Sequence, residues 1–239
     1  MKILITGGSA GLGAAMVKKL AAQNSHQIYF TYASSKAAAM ELENSFQQVH
    51  SRHCDFSDPL SVERLLNEIP DWDLDVLINN AAGPIEKTHF HKTDPNAFLH
   101  AFRRDILPVL QITQSVIPGF RKKKFGKIIN ILSSVVVNHP PIGWSGYAAG
   151  KNYLLSMSKS WVSENARFNI TVNNISPAFM QTGLTADTDE RILEQMRDAH
   201  PLKKLLTTDE VADAALFLVS CSQQINGTNL IINAGTDLV

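Results

Sequence analysis

The sequence predicts an α/β fold, a single-domain doubly wound parallel sheet of about seven strands with helices on both faces. Three observations carry this. Short apolar runs such as KILIT, HQIYFTY, KIINIL and ITVNNIS alternate with segments of helical apolar spacing, and such runs suit parallel strands buried on both faces. Glycines at 7, 11 and 13 separate the first strand from the first helix. No repeat or low-complexity linker divides the 239 residues, a length that commonly forms one domain, here 1–239.

The elements follow in order. KILIT ends at glycine, and GGSAGLGAAMVKKLAAQ places Leu12, Ala15, Met16 and Leu20 on one helical face, so a strand turns tightly into a helix. HQIYFTY is the second strand, followed by the helix KAAAMELENSF, for which Ser34 or Ser35 offers a cap. VHSRHCDF is the third strand. SDPLSVERLLNEI is a helix with Pro59 in its first turn and apolar residues at Val62, Leu65, Leu66 and Ile69. LDVLINNAAG is the fourth strand. The pattern in AFLHAFRRDILPVLQITQSVIPGF predicts one helix burying Phe98, Phe102, Ile106 and Val109, with Arg103 and Arg104 on a solvated face. KIINIL is the fifth strand, a long helix follows from about Tyr147, and ITVNNIS is the sixth strand. TTDEVADAALFLVS has a capping signal at Thr208, and NGTNLIINAG closes the sheet.

Composition excludes several functions. Equal numbers of basic and acidic side chains, 22 each, argue against a nucleic acid or an anionic membrane as the main partner. No apolar run approaches the ~18 residues a bilayer span needs, and Met1-Lys2 leads directly into the first strand rather than a signal peptide. A soluble, cytoplasmic protein is expected. Cys54 and Cys221 lack metal-ligand spacing and read as free buried thiols in a reducing compartment. His89 and His91 form an HxH pair with no further ligand cluster beside it, so no metal is expected.

The chemistry centres on NILSSVVVNHPPIGWSGYAAGKNY, from Asn130 to Tyr153. Tyr147 and Lys151 stand four apart and share one helix face, so both can act on one bound molecule. A lysine cation within ~4–6 Å of a phenol favours the phenolate and lowers a pKa that is otherwise ~10. Ser133 and Ser134 end the fifth strand, where a hydroxyl would reach the rim of the sheet, the usual ligand position in such folds. A carbonyl fits between these groups.

TGGSAGLG, INNAAG and a serine thirteen residues before Tyr147 together resemble the short-chain dehydrogenase/reductase family, from Lys2 to about Gly235. The resemblance implies a Rossmann-type fold and a nicotinamide cofactor across the C-terminal strand ends. It implies Ser134, Tyr147 and Lys151 as catalytic residues, with Ser134 on the carbonyl oxygen, Tyr147 as proton donor and Lys151 on the cofactor ribose. Asp105 stands where many relatives have an asparagine that holds a water in a relay to the lysine. Cofactor contacts are implied for Gly7, Ser9, Ala10, Gly11, Leu12 and Gly13, whose loop would face the pyrophosphate. Asp55 and Phe56 would meet the adenine, and Asn80, Ala81, Ala82 and Gly83, an NNAG motif with one alanine inserted, would line its path. Pro177, Ala178 and Thr182 resemble PGxxxT, at the nicotinamide end, and 184–204 corresponds to a substrate lid. The second strand ends without an acidic residue for a ribose hydroxyl and continues into Ser34, Ser35 and Lys36, so NADP is expected over NAD.

Within the family, TYASSKAAA, KIINILSS, YAAGK and NITVNNISPAF resemble 3-oxoacyl-acyl-carrier-protein reductases. This implies NADPH-dependent reduction of a ketone to a secondary alcohol, with a small-molecule carbonyl or alcohol substrate that acyl carrier protein could carry, and a homotetramer. Lys124 and Arg167 would meet the acidic carrier, or are simply solvated. HPPIGW departs from that group, which leaves a specialised ketoreductase of polyketide or secondary metabolism as the alternative. Asp105, Ala178 and the NAGT ending leave open a nicotinamide-binding regulator or structural subunit without turnover.

Overall fold

A computed structural model describes residues 1–236. Seven parallel strands form one sheet in the order β3-β2-β1-β4-β5-β6-β7. They are β1 Lys2–Ile5, β2 Gln27–Tyr32, β3 Val49–His53, β4 Val76–Asn79, β5 Gly126–Ile131, β6 Ile170–Pro177 and β7 Asn229–Ile232. The connecting helices are α1 Gly11–Ala21, α2 Lys36–Ser45, α3 Pro59–Trp72, α4 Pro95–Ala101, α5 Leu107–Lys123, α6 Ser145–Asn165, α7 Glu190–Ala199 and α8 Thr208–Ser220. The order reverses between β1 and β4, which opens a crevice at the C-terminal strand ends.

Alternation along each strand feeds two cores. Ile3, Ile5, Ile28, Phe30, Val76, Ile78, Ile129 and Ile131 pack with α1 and α8 on one face. Leu4, Tyr29, Leu77, Ile128 and Val172 face the other way, against Ile69, Ile112, Val116, Leu154 and Trp161. The β-branched runs thus satisfy both faces at once, and the register that joins Ile3 to Ile28 and Val76 holds them level.

The helix expected from Ala97 to Phe120 is three pieces. Between α4 and α5, Phe102–Ile106 is a π-helical turn in which the Leu107 amide reaches back to the Phe102 carbonyl. Pro108 has no N–H to return to Arg104, which breaks the regular ladder there. Ile106 and Val109 are buried as expected, while Phe98 and Phe102 are half-buried, Phe102 standing edge-on to Tyr153 at 5.2 Å. Arg104 does not lie on a solvated face, because the wide turn directs it inward onto Asp105. The cap of α8 is Thr207 rather than Thr208, with Glu210 completing a capping box. Cys54 is buried and Cys221 half-buried, both free.

Three asparagines tie the strand ends together. Asn79 Nδ2 donates to Asn130 Oδ1 at 2.9 Å, Asn130 Nδ2 to Asn174 Oδ1 at 3.0 Å, and Asn174 Nδ2 to Ser158 Oγ at 3.0 Å. This ladder crosses β4, β5 and β6 and ends on α6, the helix that carries Tyr147 and Lys151. Asn130→Ala would leave the buried Asn174 carbonyl without a partner, at about 1–3 kcal/mol, while Asn79 Nδ2 would keep its bond to Thr113 Oγ1 at 3.2 Å and lose one of about 1 kcal/mol. Urea denaturation should therefore show a loss of ~2–4 kcal/mol, and a loss below ~1 kcal/mol would show the ladder to be energetically idle.

Candidate active site

The crevice holds a cleft of about 900 Å³ along the C-terminal strand ends, within the ~300–1,000 Å³ usual for ligand pockets. Gly7, Ala10, Gly11, Leu12 and Gly13 line one end. A Cβ on Gly13 would sit 1.9 Å from the Gly7 carbonyl oxygen, and Gly7 itself adopts φ +68° with Ala81 against it. Strand, loop and helix can approach this closely only with glycine at both positions. Ala10 precedes α1 without any side-chain cap, so the first amides of the helix and its positive end are left to favour an anion. The chain therefore fits the pyrophosphate of a dinucleotide at this point.

The loop is held from both sides. Thr31 Oγ1 accepts from the Gly7 amide at 2.9 Å. Thr6 Oγ1 accepts from the Asn80 and Ala81 amides at 2.9 and 3.0 Å, and Asn80 Nδ2 donates to the carbonyls of Thr6 and Gly7 at 2.9 and 3.0 Å. Tyr32, Ala33 and Ser34 line the cleft beyond β2, as do Asp55 and Phe56 beyond β3. Asp55 does not cap α3, a role filled by Asp58; it accepts from the Ser57 amide and hydroxyl. Pro177, Ala178 and Thr182 line the far end, with Ala81, Ala82 and Gly83 between.

Tyr147 and Lys151 come together with Ser133 at the end of β5. Ser133 and Tyr147 line the cleft, and the Ser133 hydroxyl, which accepts from the Val135 amide at 3.4 Å, stands close enough to the phenol to bear on its ionisation. Lys151 is 8% exposed and its Nζ donates to the Ile131 carbonyl at 2.8 Å, lying 5.6 Å from the Tyr147 ring centre. Burial pushes the Tyr147 pKa up; the neighbouring Ser133 hydroxyl works against this and the Asp105 charge adds to it. The phenol is thus raised, contrary to the lowering expected from a nearby lysine cation, because desolvation prevails. Burial also lowers Lys151 to about 8, with Asp105 opposing.

The structure brings Ser133, not Ser134, to Tyr147. Counting thirteen residues back from Tyr147 crosses a loop of free length, whereas β5 fixes what emerges at its own end. Ile131 is the last strand residue, Ser133 continues in extended conformation into the cleft, and Ser134 begins a 3-10 turn. Ser9, Ser35, Lys36 and Ser134 do not line the cleft. Ser35 is the cap position of α2, without a side-chain cap bond. Lys124 and Arg167 lie in the turns before β5 and β6, where Asn169 Nδ2 reaches the Lys124 carbonyl at 3.1 Å. Both precede strand starts, about 20 Å of strand from the cleft.

Asp105 turns toward Arg104 and the loop after β4. Its Oδ1 accepts from the Gly83 amide at 2.9 Å and from Arg104 Nε at 3.0 Å, and its Oδ2 accepts from Arg104 Nη2 at 2.7 Å. Arg104 also donates to the Pro84 carbonyl at 3.0 Å. The loop lengthened by one alanine is therefore clamped from the π-helical turn. The bonds of the clamp to Gly83 and Pro84, and Trp144, edge-on to Tyr147 at 5.6 Å, were not legible from spacing.

A family model described as short chain dehydrogenase matches residues 1–192. The chain belongs to this family. It is 29% identical over 238 residues to a 3-oxoacyl-acyl-carrier-protein reductase of Aquifex aeolicus, covering 97% of this chain and 95% of the relative. An acetoacetyl-CoA reductase of Shinella zoogloeoides is 30% identical over 235 residues, with 97% and 96% covered. The solved structure of an actinorhodin polyketide ketoreductase with NADPH superposes with a TM-score of 0.88 at 19% identity, covering 98% of this chain and 96% of that one, and shares the fold. The site is thus that of an oxidoreductase with a nicotinamide cofactor. No helix among the described residues is long and apolar enough to cross a membrane.

Asp105 raises the proton affinity of both Tyr147 and Lys151, so removing its charge should lower both. Asp105→Asn should make the phenol ionise at lower pH than in the unsubstituted protein. Ultraviolet titration, differenced against Tyr147→Phe to remove the other tyrosines, measures this. An unchanged midpoint would exclude electrostatic coupling between Asp105 and the pair.

Proposed function

We propose that the protein reduces a ketone to a secondary alcohol with NADPH, on a 3-oxoacyl thioester or a related carbonyl compound. The observation that carries this is the placing of half-buried Ser133 and Tyr147 beside buried Lys151 at the strand ends, with the phenol pKa raised and the strand–helix glycine loop beside it. When bound, the cofactor supplies hydride. The Ser133 hydroxyl orients the carbonyl oxygen by donating to it. Tyr147, protonated across the neutral range because burial disfavours its phenolate, gives up its proton as oxygen accumulates charge. Lys151, held by Ile131, keeps a positive charge beneath the phenol up to about pH 8, which stabilises the phenolate left behind.

Two features support NADPH over NADH. No carboxylate follows β2 to meet ribose hydroxyls, and Ser34 lines the cleft there, with Lys36 opening α2 nearby. The relatives' names support a thioester-borne acyl substrate, with acyl carrier protein as one carrier. A carrier resting on Lys124 and Arg167 would sit a strand's length from this cleft, so those two cations are not part of the proposed delivery route. A single domain in the cytoplasm, assembled as a homotetramer, completes the reading, with 184–204 as the lid. Of that stretch, the turn at Gly183–Thr185 borders the cleft and α7 packs inward through Leu193.

Incubation with NADPH or NADH and a panel of β-ketoesters and 3-oxoacyl thioesters tests the reading. Oxidation of NADPH at a rate at least tenfold above NADH is expected. Saturable NADPH fluorescence without oxidation of any substrate would overturn it. Tyr147→Phe and Ser133→Ala should each lower kcat by ~10²-fold or more while the NADPH Kd changes little, and Ser134→Ala should leave kcat within about twofold. The reverse ranking of the two serine variants would return the role to Ser134. With Lys151 lowered to about 8, the ammonium is lost above that pH, so the reductase rate should fall on that side of the profile.

A further inference from the structure

A second cavity, of about 330 Å³, lies beside the cleft between α4, α5 and the start of α6. Phe98, Leu99, Phe102, Val109 and Leu154 give it an apolar lining. Its volume is roughly twice the ~150 Å³ that holds a benzene ring in an apolar protein cavity. The loop after β4 covers it. The Thr88 amide donates to the Gly143 carbonyl at 3.2 Å, and Gly143 has φ +84° with the backbone of Lys87 and Thr88 within 3.4 Å of where a Cβ would stand. Any other residue at 143 would be strained and would push this cover away.

Pro84, Ile85 and Tyr147 line both spaces, as do Arg104 and Asp105. A molecule in the cavity would therefore border Tyr147, as would one in the cleft. Of the three charged residues in the shared wall, Arg104 and Asp105 are paired with each other and the Lys151 ammonium is held by the Ile131 carbonyl, so each already has a partner. The clamp also fixes the wall, since Gly83 and Pro84 are both bonded to it.

We propose that this cavity takes the apolar tail of the carbonyl substrate, so that the protein selects medium-chain acyl groups over a bare acetoacetyl group. The inference rests on the proposed reductase reading for the position of the carbonyl, at Ser133 and Tyr147. From there the tail passes between Pro84-Ile85 and Tyr147 into the apolar chamber. Burying each methylene contributes roughly fourfold in affinity, which four added methylenes compound.

The test compares N-acetylcysteamine thioesters, whose carrier is neutral and common to all. For reduction, kcat/KM should be at least tenfold higher for the 3-oxooctanoyl than for the 3-oxobutanoyl thioester. Ala97→Phe and Ala101→Leu, which fill the cavity from α4 at two separate positions, should each reduce that ratio by at least fivefold. Equal kcat/KM for the two chain lengths in the unsubstituted protein, or an unaltered ratio in both variants, would overturn the proposal. Calorimetric binding of the saturated octanoyl and butanoyl thioesters to the cofactor-saturated protein reads the same site without turnover. Tighter octanoyl binding that Ala97→Phe or Ala101→Leu abolishes upholds the tail site even if no substrate is reduced, which would count against the reductase reading alone. Equal binding of the two removes the tail site whatever the activity.

Discussion

The site depends on one buried contact, the Lys151 ammonium against the Ile131 carbonyl at 2.8 Å. A cation at this depth is costly unless it is bonded, and the bond fixes α6 to the last residue of β5. Tyr147, one turn before Lys151, is thereby set over the strand end where Ser133 emerges. The asparagine ladder through Asn79, Asn130 and Asn174 keeps β4, β5 and β6 level and reaches α6 through Ser158. The cleft-lining Ser133, Tyr147 and Lys151 are thus held by the core of the sheet. The loops beyond the strand ends shape only the walls.

Electrostatics at the site run opposite to a simple pairing argument. A lysine beside a tyrosine suggests a lowered phenol pKa, yet burial acts on both groups, raising the phenol and lowering the ammonium. Asp105 shifts both upward without touching either, its oxygens being occupied by Arg104 and Gly83. The outcome favours a protonated phenol over a charged lysine below about pH 8. That is the protonation state in which a general acid is useful.

The π-helical turn before Pro108 has effects on both sides. It swings Arg104 and Asp105 onto the loop after β4, which carries one more alanine than the NNAG pattern, and supplies that loop with bonds to the Gly83 amide and the Pro84 carbonyl. It also separates α4 from α5, leaving room for the apolar cavity against α6. One backbone irregularity therefore shapes the wall of the cleft and the chamber next to it.

The amino-acid sequence by itself determined the sheet, because β-branched runs buried on both faces have few other solutions, and it determined the glycine loop, because only glycine tolerates Gly13 packed on the Gly7 carbonyl. It also placed Tyr147 and Lys151 on one face, since helical spacing is a local property. Tertiary structure decided the rest. Ser133 rather than Ser134 lines the cleft, because a strand end, not a count across a loop, determines which side chain emerges there. The helix broke at Phe102–Ile106 because the missing Pro108 N–H and the bonds offered by a distant loop outweighed apolar periodicity. Arg104 left the solvent for a partner next to it in sequence, Asp105, and for Pro84 twenty residues away. Which of these contacts forms depends on distances between chain segments that no local pattern encodes.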